Sequence, residues 1–246
     1  MPADIFGIIP VRYASKRFPG KPLTPILGKA MFRWVYEQAR RCPDIAHVLL
    51  ATDDARIADA ADRHGIPCEL TRDDHPSGTD RILEAALKTG IPDTAVVVNI
   101  QGDEPALHPD MLTELIRPFD DPAVQATTLI RREKPPAADN PDQVWVTVDR
   151  NANALYFSRA RIPMDFAATD APGYRHIGLY AYRLPTLRSF VHLGPGRLEQ
   201  IEKLEQLRLL ENGIPIRTVL TRHRSQGVDR PADVETVTDL LKARGH

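Results

Sequence analysis

Arg12, Lys16, Arg17 and Lys21 place four cations just beyond the apolar run Ile5 to Pro10. A strand that ends in such a segment, with a hydroxyl at Ser15 and a flexible Gly20, can wrap an anion with charge and backbone N–H donors together. The pattern GxxxxGK[ST] is absent, so this is not a Walker A loop. Two acids complement the cations. Asp103 follows the apolar run Ala95 to Ile100 and a glycine, Gly102, and Asp229 lies between the strand-like Ile216 to Leu220 and a helical segment. Hard carboxylate oxygens at the open end of a sheet suit Mg²⁺, which takes one or two protein ligands and completes its shell with phosphate and water. Each acid also has a plainer reading, Asp103 as a turn aspartate and Asp229 as a helix N-cap.

Three further groups could meet a substrate. His75 to Arg81 reads as a turn running into a helix, whose first N–H groups suit a phosphate or the polar edge of a base; Ser77 or Thr79 could equally be its cap. Arg159 offers a planar fork for a carboxylate. His176 reads either as a substrate donor or as a satisfied structural group on a strand.

The elements that must carry these groups follow from periodicity. Ile5 to Pro10, Val48 to Thr52 and Ala95 to Ile100 are nearly continuous in apolar residues, as strands covered on both faces are. Between them, Met31 to Arg41 and Asp54 to His64 carry helical patterns, the second stopping at Gly65. Strand and helix in alternation predict a doubly wound α/β sheet, with the basic segment, Thr52 to Asp54 and Gln101 to Glu104 at the carboxyl ends of its strands. From about Pro135 the pattern changes to a proline-punctuated link through Pro136 and Pro141. Alternating strands over Val144 to Val148 and His176 to Arg183 follow. Leu198, Ile201, Leu204, Leu207 and Leu210 predict one helix stripe ended by Gly213, and Pro231 to Ala243 a last helix.

Bulk properties narrow the class. The chain has 246 residues, 42% apolar content and a formal net charge of −1, which fits one large domain or a domain with an insertion and argues against a general nucleic-acid binder. No apolar stretch approaches the length of a membrane helix and no signal-peptide pattern opens the chain, so the expected compartment is the cytoplasm. Cys42 and Cys68 form no CxxC motif and no cluster with nearby histidines, and read as reduced thiols.

Taken together, these segments resemble the bacterial 3-deoxy-manno-octulosonate cytidylyltransferases, or CMP-Kdo synthetases. The resemblance runs through IPVRYASKRFPGKP at 9–22, ATDD at 51–54, HPSGTDR at 75–81, NIQGDEP at 99–105, ALYFSRARIP at 154–163, HIGLYAY at 176–182, Leu198 to Leu210 and GVD at 227–229. It implies a mostly parallel nucleotide-diphospho-sugar transferase-like sheet with an inserted antiparallel subdomain. The implied layout is a CTP-binding core over 1–134, a sugar-binding and dimerisation subdomain over 135–212, and a return to the core over 213–246. The implied reaction joins CTP to an eight-carbon acidic sugar with Mg²⁺, in a homodimer, for lipopolysaccharide assembly. Carried onto this chain, Arg12 and Lys21 hold the triphosphate with Ser15 assisting, and Arg72, Ser77 and Gly78 lie at the cytidine side. Asp103 and Asp229 bind Mg²⁺, with Arg12, Lys21 and Asp103 as the catalytic set, while Gln101, Arg159, His176, Tyr180 and Glu205, beside Glu202, line the sugar site.

The chain departs from the family in two places. Where many relatives carry a lysine in the strand after Asn140, this chain reads Val144, Trp145, Val146, and Arg230 and Ala232 alter the last motif. The 8-amino analogue of the sugar is an equally compatible substrate. Two other readings stay open, a nucleotidyltransferase for another acidic sugar and a non-catalytic nucleotide-binding protein.

Overall fold

The computed structural model describes residues 4–14, 17–134, 140, 142–167, 169 and 171–245. The chain forms two compact units, Met1–Thr113 with His223–His246, and Glu114–Arg222. The first opens with β1 (Ile5–Val11), a short ribbon of β2 (Pro25–Ile26) and β3 (Lys29–Ala30), and α1 (Met31–Arg40). It continues through β4 (His47–Thr52), α2 (Ala55–Asp62), β5 (Cys68–Leu70), α3 (Gly78–Lys88) and β6 (Val96–Asn99) to α4 (Pro109–Ile116), which crosses the division. β6, β1, β4 and β5 lie side by side and parallel. Ile8, Ile9, Leu50, Val96, Val97 and Val98 are fully buried, which is why these strands read as unbroken apolar runs.

Register then decides where the chemistry goes. Val11 pairs with Thr52 and Ile8 with Asn99, so β1, β4 and β6 run out on one edge and deliver residues 12–14, 17–21, 53–54 and 101–104 there together. Gly102 is required at that edge, because a Cβ on it would stand 2.7 Å from the Pro10 carbonyl oxygen.

The second unit holds β7 (Ala126–Glu133), β8 (Trp145–Val148), β9 (Ala154–Ser158), β10 (Gly173–Arg183), α5 (Leu184–Leu193), α6 (Arg197–Glu202), α7 (Leu207–Glu211) and β11 (Ile216–Leu220). β7 lies between antiparallel β10 and parallel β11, and β8 pairs antiparallel with both β9 and β10. These pairings draw β7 into the second unit, so the compact units divide elsewhere than at 134/135 and 212/213. The link at Pro135, Pro136 and Pro141 lies outside the described residues. In β10, Ile177 faces Leu129 and Tyr180 faces Thr128, which leaves Gly178 and Leu179 as a bulge.

The stripe from Leu198 to Leu210 is not one helix, which corrects the sequence reading. Lys203 adopts φ 56°, Ile201 is 65% exposed, and Leu204 and Leu207 turn into the core. A side chain far along the chain accompanies the break: Arg159 Nε donates to the Glu202 carbonyl oxygen at 2.7 Å and its Nη2 to that of Lys203 at 3.2 Å, oxygens a continuous helix would have used internally.

The chain then returns to the first unit as α8 (Asp233–Ala243), whose Val237 and Leu241 pack in one buried cluster with Met31, Trp34 and Val228. Full burial of Val228, worth about 1.5–3 kcal/mol, anchors the segment that carries Asp229. No described helix is long and apolar enough to cross a membrane.

Candidate active site

The edge defined by β1 and β6 opens onto a cleft of about 420 Å³. Arg12, Arg17, Lys21, His75, Ser77, Gly78, Arg81, Gln101, Asp103 and Asp229 all line it. Gly20, at φ 72°, turns the basic segment back so that its N–H donates to the Tyr13 carbonyl at 3.1 Å and Lys21 enters the cleft. Lys21 Nζ donates to Asp103 Oδ2 at 2.8 Å and to the Val228 carbonyl at 2.7 Å, with only 13% of its side chain exposed. Arg17 Nη2 donates to Asp229 Oδ1 at 2.7 Å. The Val228 N–H closes the arrangement by donating to the Asp103 carbonyl at 2.9 Å. Two acids distant in sequence therefore face one space, each already paired with a cation from the same basic segment. Asp229 is not a helix N-cap: the Asp229 and Arg230 N–H groups instead donate to Asp233 Oδ2 at 2.9 and 2.8 Å.

Opposite this cluster, Ser77 caps α3, its Oγ accepting from the Thr79 and Asp80 N–H groups at 3.1 and 3.3 Å and donating to Asp80 Oδ2 at 2.6 Å. Arg81 is 3% exposed and donates to Asp53 Oδ2 at 3.0 Å, which fixes α3 to the end of β4. Below it Glu84 bonds His75. Burial works to raise the Glu84 carboxyl, yet Lys88, His75 and the Arg72 N–H outweigh it and hold its pKa down at about 2.

In the second unit the polar groups are of a different kind. His176 Nε2 shares hydrogen bonds with Tyr180 Oη at 2.8 Å and Thr128 Oγ1 at 3.0 Å, and its ring meets Phe157 edge-on at 5.1 Å. Thr128 Oγ1 donates to the Leu179 carbonyl at 2.9 Å, satisfying an oxygen that the β10 bulge takes out of the ladder. Desolvation pushes the imidazole down to about 3, so it is neutral at pH 7, and burial joins the charge of Glu205 in raising the Tyr180 phenol. The Arg159 N–H donates to Glu202 Oε2 at 3.0 Å, and Ser158 Oγ to Glu202 Oε1 at 2.9 Å. Glu202 thus ties β9 to the end of α6, while the charge of Glu205 acts on Tyr180 and Tyr182.

A model of the family described as Cytidylyltransferase matches residues 6–218, most of the chain. The chain belongs to the cytidylyltransferase family. The 3-deoxy-manno-octulosonate cytidylyltransferase of Nitratidesulfovibrio vulgaris strain Hildenborough is 57% identical to it over 98% of this chain and 97% of its own. The protein of the same name from Oleidesulfovibrio alaskensis is 54% identical, covering 96% of both chains. A solved structure, described as CMP:2-keto-3-deoxy-manno-octonic acid synthetase complexed with CTP, superposes with a TM-score of 0.93 at 40% identity, over 98% of this chain and all of the other. A 4-diphosphocytidyl-2C-methyl-D-erythritol synthase from Anaerococcus prevotii shares the fold alone, at TM-score 0.63 and 11% identity.

As a cytidylyltransferase, the chain gathers Arg12, Lys21, Ser77, Gly78, Gln101, Asp103 and Asp229 around one cleft. Ser15 lies outside the described residues. Arg72 is not among the groups lining the cleft. Its guanidinium faces Asp74 and Glu84 at 3.4 and 3.6 Å, and 67% of its side chain is exposed. Arg159, His176, Tyr180 and Glu205 all belong to the second unit. Residue reasoning missed Arg17, Arg81 and Thr128. Arg17 was one of four adjacent cations and Arg81 closed a quoted motif, but only the fold distinguishes which cation faces an acid, and Thr128 sits in an apolar strand with no signal of its own.

Proposed function

We propose that this chain transfers CMP from CTP to the anomeric hydroxyl of 3-deoxy-manno-octulosonate, giving CMP-Kdo and pyrophosphate for lipopolysaccharide assembly. The carrying observation is the pairing of Lys21 with Asp103 and of Arg17 with Asp229 in a single cleft that Ser77 and Gly78 also line. A triphosphate entering it offers both cations phosphate oxygens in place of carboxylates. The hydroxyl oxygen forms a bond to the α-phosphorus while the bond from that phosphorus to the β-phosphate oxygen breaks. The hydroxyl proton leaves to solvent, and Arg12 and Lys21 offset the charge that gathers on departing pyrophosphate.

The donor set fits Mg²⁺, since Asp103 and Asp229 bring hard oxygens to one cleft while phosphate and water can fill the other positions. Bound there, the ion would supply charge neutralisation to the phosphates. Arg159 is the side chain suited to the sugar carboxylate, with neutral His176 and Tyr180 available to its hydroxyls, while Gln101 offers its amide in the cleft of the first unit. The exposed apolar side chains Leu155, Met164, Phe166 and Ile201 support assembly as a homodimer. Sedimentation as a monomer at micromolar concentration would refute that assembly. The nucleotide substrate is consistent with a cytoplasmic protein, and fractionation of cells tests this.

Pyrophosphate release measured with Mg²⁺, each of the four ribonucleoside triphosphates and each of Kdo and its 8-amino analogue tests the reading. CTP with Kdo is expected to give the highest kcat/KM. Preference for the 8-amino sugar would replace the substrate, and CTP binding without pyrophosphate release from any sugar would reject the enzyme.

A further inference from the structure

We infer that His108, Asp110 and His223 form a second cation site, built for a nitrogen-preferring transition dication of the Zn²⁺ class and separate from the Asp103 and Asp229 cleft. His108 stands at the start of α4, Asp110 lies in that helix's first turn, and His223 opens the segment that returns from β11. None of the three lines the cleft. Asp110 Oδ2 lies 3.6 Å from His108 Nδ1 and 3.5 Å from His223 Nε2, and all three donor atoms fall within 4.8 Å of one another. Tetrahedral Zn²⁺ with bonds of about 2.0–2.1 Å separates its ligand atoms by about 3.3 Å, so two of the three spacings need to contract by only a few tenths of an ångström.

The nitrogen on His108 is in the form a metal needs. The Asp110 N–H points at His108 Nδ1 at 3.3 Å, and an N–H donor can meet only a bare ring nitrogen, so the proton of the neutral ring belongs on Nε2. The two imidazoles stack at 4.0 Å between centroids and 17° between planes, so one ring must turn on binding to bring both in-plane nitrogen lone pairs onto one ion, which then has two imidazoles and one carboxylate. Two imidazoles and a carboxylate select Zn²⁺, Co²⁺ or Ni²⁺ over Mg²⁺, and they leave an outer position for water.

The site also has a structural place. The segment from His223 to Asp229 is tied to the one from Asp103 to Asp110 by the Val228 N–H to the Asp103 carbonyl and by Ser225 to Glu104. A metal at His108, Asp110 and His223 adds a third tie at the start of that segment.

Titration of chelator-stripped protein with ZnCl₂ in excess Mg²⁺, followed by calorimetry, tests the site without depending on the enzyme's activity. One equivalent is expected, with a rise in the unfolding temperature, and CoCl₂ should give visible bands typical of nitrogen-ligated, four-coordinate Co²⁺. His108→Asn and His223→Asn should each weaken binding on the order of 100-fold or more. Asp110→Asn, with 61% of its side chain exposed, should weaken it without affecting the fold. Asp103→Asn should leave it unchanged. The absence of a saturable equivalent, its persistence in both histidine variants and in Asp110→Asn, or its loss in Asp103→Asn would each overturn the site.

Discussion

The cleft of the first unit is assembled from formal charges in pairs, whereas the polar chain of the second unit is assembled from neutral groups. In the cleft, Arg17 and Asp229 are both more than half exposed and meet through flexible side chains. Around His176, by contrast, the ring, a phenol and a threonine hydroxyl are fixed by a bulged strand and its neighbour. Exposed ion pairs contribute little to stability, about 0–1 kcal/mol, because water competes for both partners. They therefore exchange partners readily. A buried neutral network is expensive to leave half-made and so holds its shape. The difference points to two tasks, charge handed between carboxylate and phosphate in one unit and a preset surface of hydrogen-bonding groups in the other.

The first way to break this comparison is at Asp103. Asp103→Asn keeps the size and removes the charge, leaving Lys21 its contact with the Val228 carbonyl. Turnover is expected to fall by about 10³-fold or more, since several kcal/mol of transition-state charge stabilisation go with the carboxylate, while the circular dichroism spectrum stays unchanged. Near-normal Mg²⁺-dependent pyrophosphate release would remove Asp103 from the reaction. Lys21→Met comes next. Its ammonium is the less exposed member of the pair, and losing it should slow turnover by about 10²-fold through the departing pyrophosphate. Unchanged kcat and KM would show that the cation serves the fold alone.

The contrast between the units also explains what was legible in the chain. The parallel strands were readable because β1, β4 and β6 are buried on both faces, and their shared edge followed from α/β alternation alone. Asp103 was legible because Gly102 marks a close backbone approach beside it. The pairing of Asp229 with the basic segment was not, because it depends on Val228 packing in one cluster with Met31 and Trp34, which lie more than 190 positions away in the chain. The broken helix at Lys203 was hidden for a related reason. Leu198 to Leu210 has helical spacing, and only a distant arginine, Arg159, takes the carbonyl oxygens that a single helix would need. Local pattern records burial well, but it records poorly the side chains that compete for backbone groups from far along the chain.

In the second unit the expected effects are smaller and of another type. The imidazole of His176 sits at about 3 in the folded chain against an ordinary 6.5. Between those values the unfolded chain takes up a proton that the folded chain refuses, so the contribution to stability is complete above pH 6.5 and is lost as the pH falls toward 3. The stability difference between the wild type and His176→Gln, from denaturant curves, should be flat above about pH 6.5 and shrink below it. A His176 imidazole resonance that titrates with a midpoint near 6.5 in the folded protein would contradict the neutral network. Tyr180→Phe removes one hydroxyl from that network at a cost of about 1 kcal/mol, which corresponds to roughly 2–4 °C in Tm for a chain of this size. If the hydroxyl also meets the sugar, KM for Kdo rises while kcat changes by less; a fall in kcat of the size expected for Lys21→Met would place Tyr180 among the charge-handling groups instead.

The smallest effect is expected at Arg72, and it sharpens the comparison because the two arginines differ in place and not in kind. Arg12 lines the cleft, whereas the Arg72 guanidinium is turned toward Asp74 and Glu84, both beyond the distance of a firm hydrogen bond. Its backbone N–H, which donates to Glu84 at 3.2 Å, survives any side-chain change. Arg72→Ala should therefore alter KM for CTP by no more than about twofold and stability by less than about 0.5 kcal/mol, as for surface substitutions that leave no buried group unpaired. Arg12→Ala, measured beside it in the same pyrophosphate assay, should lose at least tenfold in kcat/KM, about 1.4 kcal/mol. A loss at Arg72 equal to that at Arg12 would mean that the segment before α3 swings its guanidinium onto the nucleotide, and that the cleft's set of cations is larger than Arg12, Arg17, Lys21 and Arg81, which line it among the described residues.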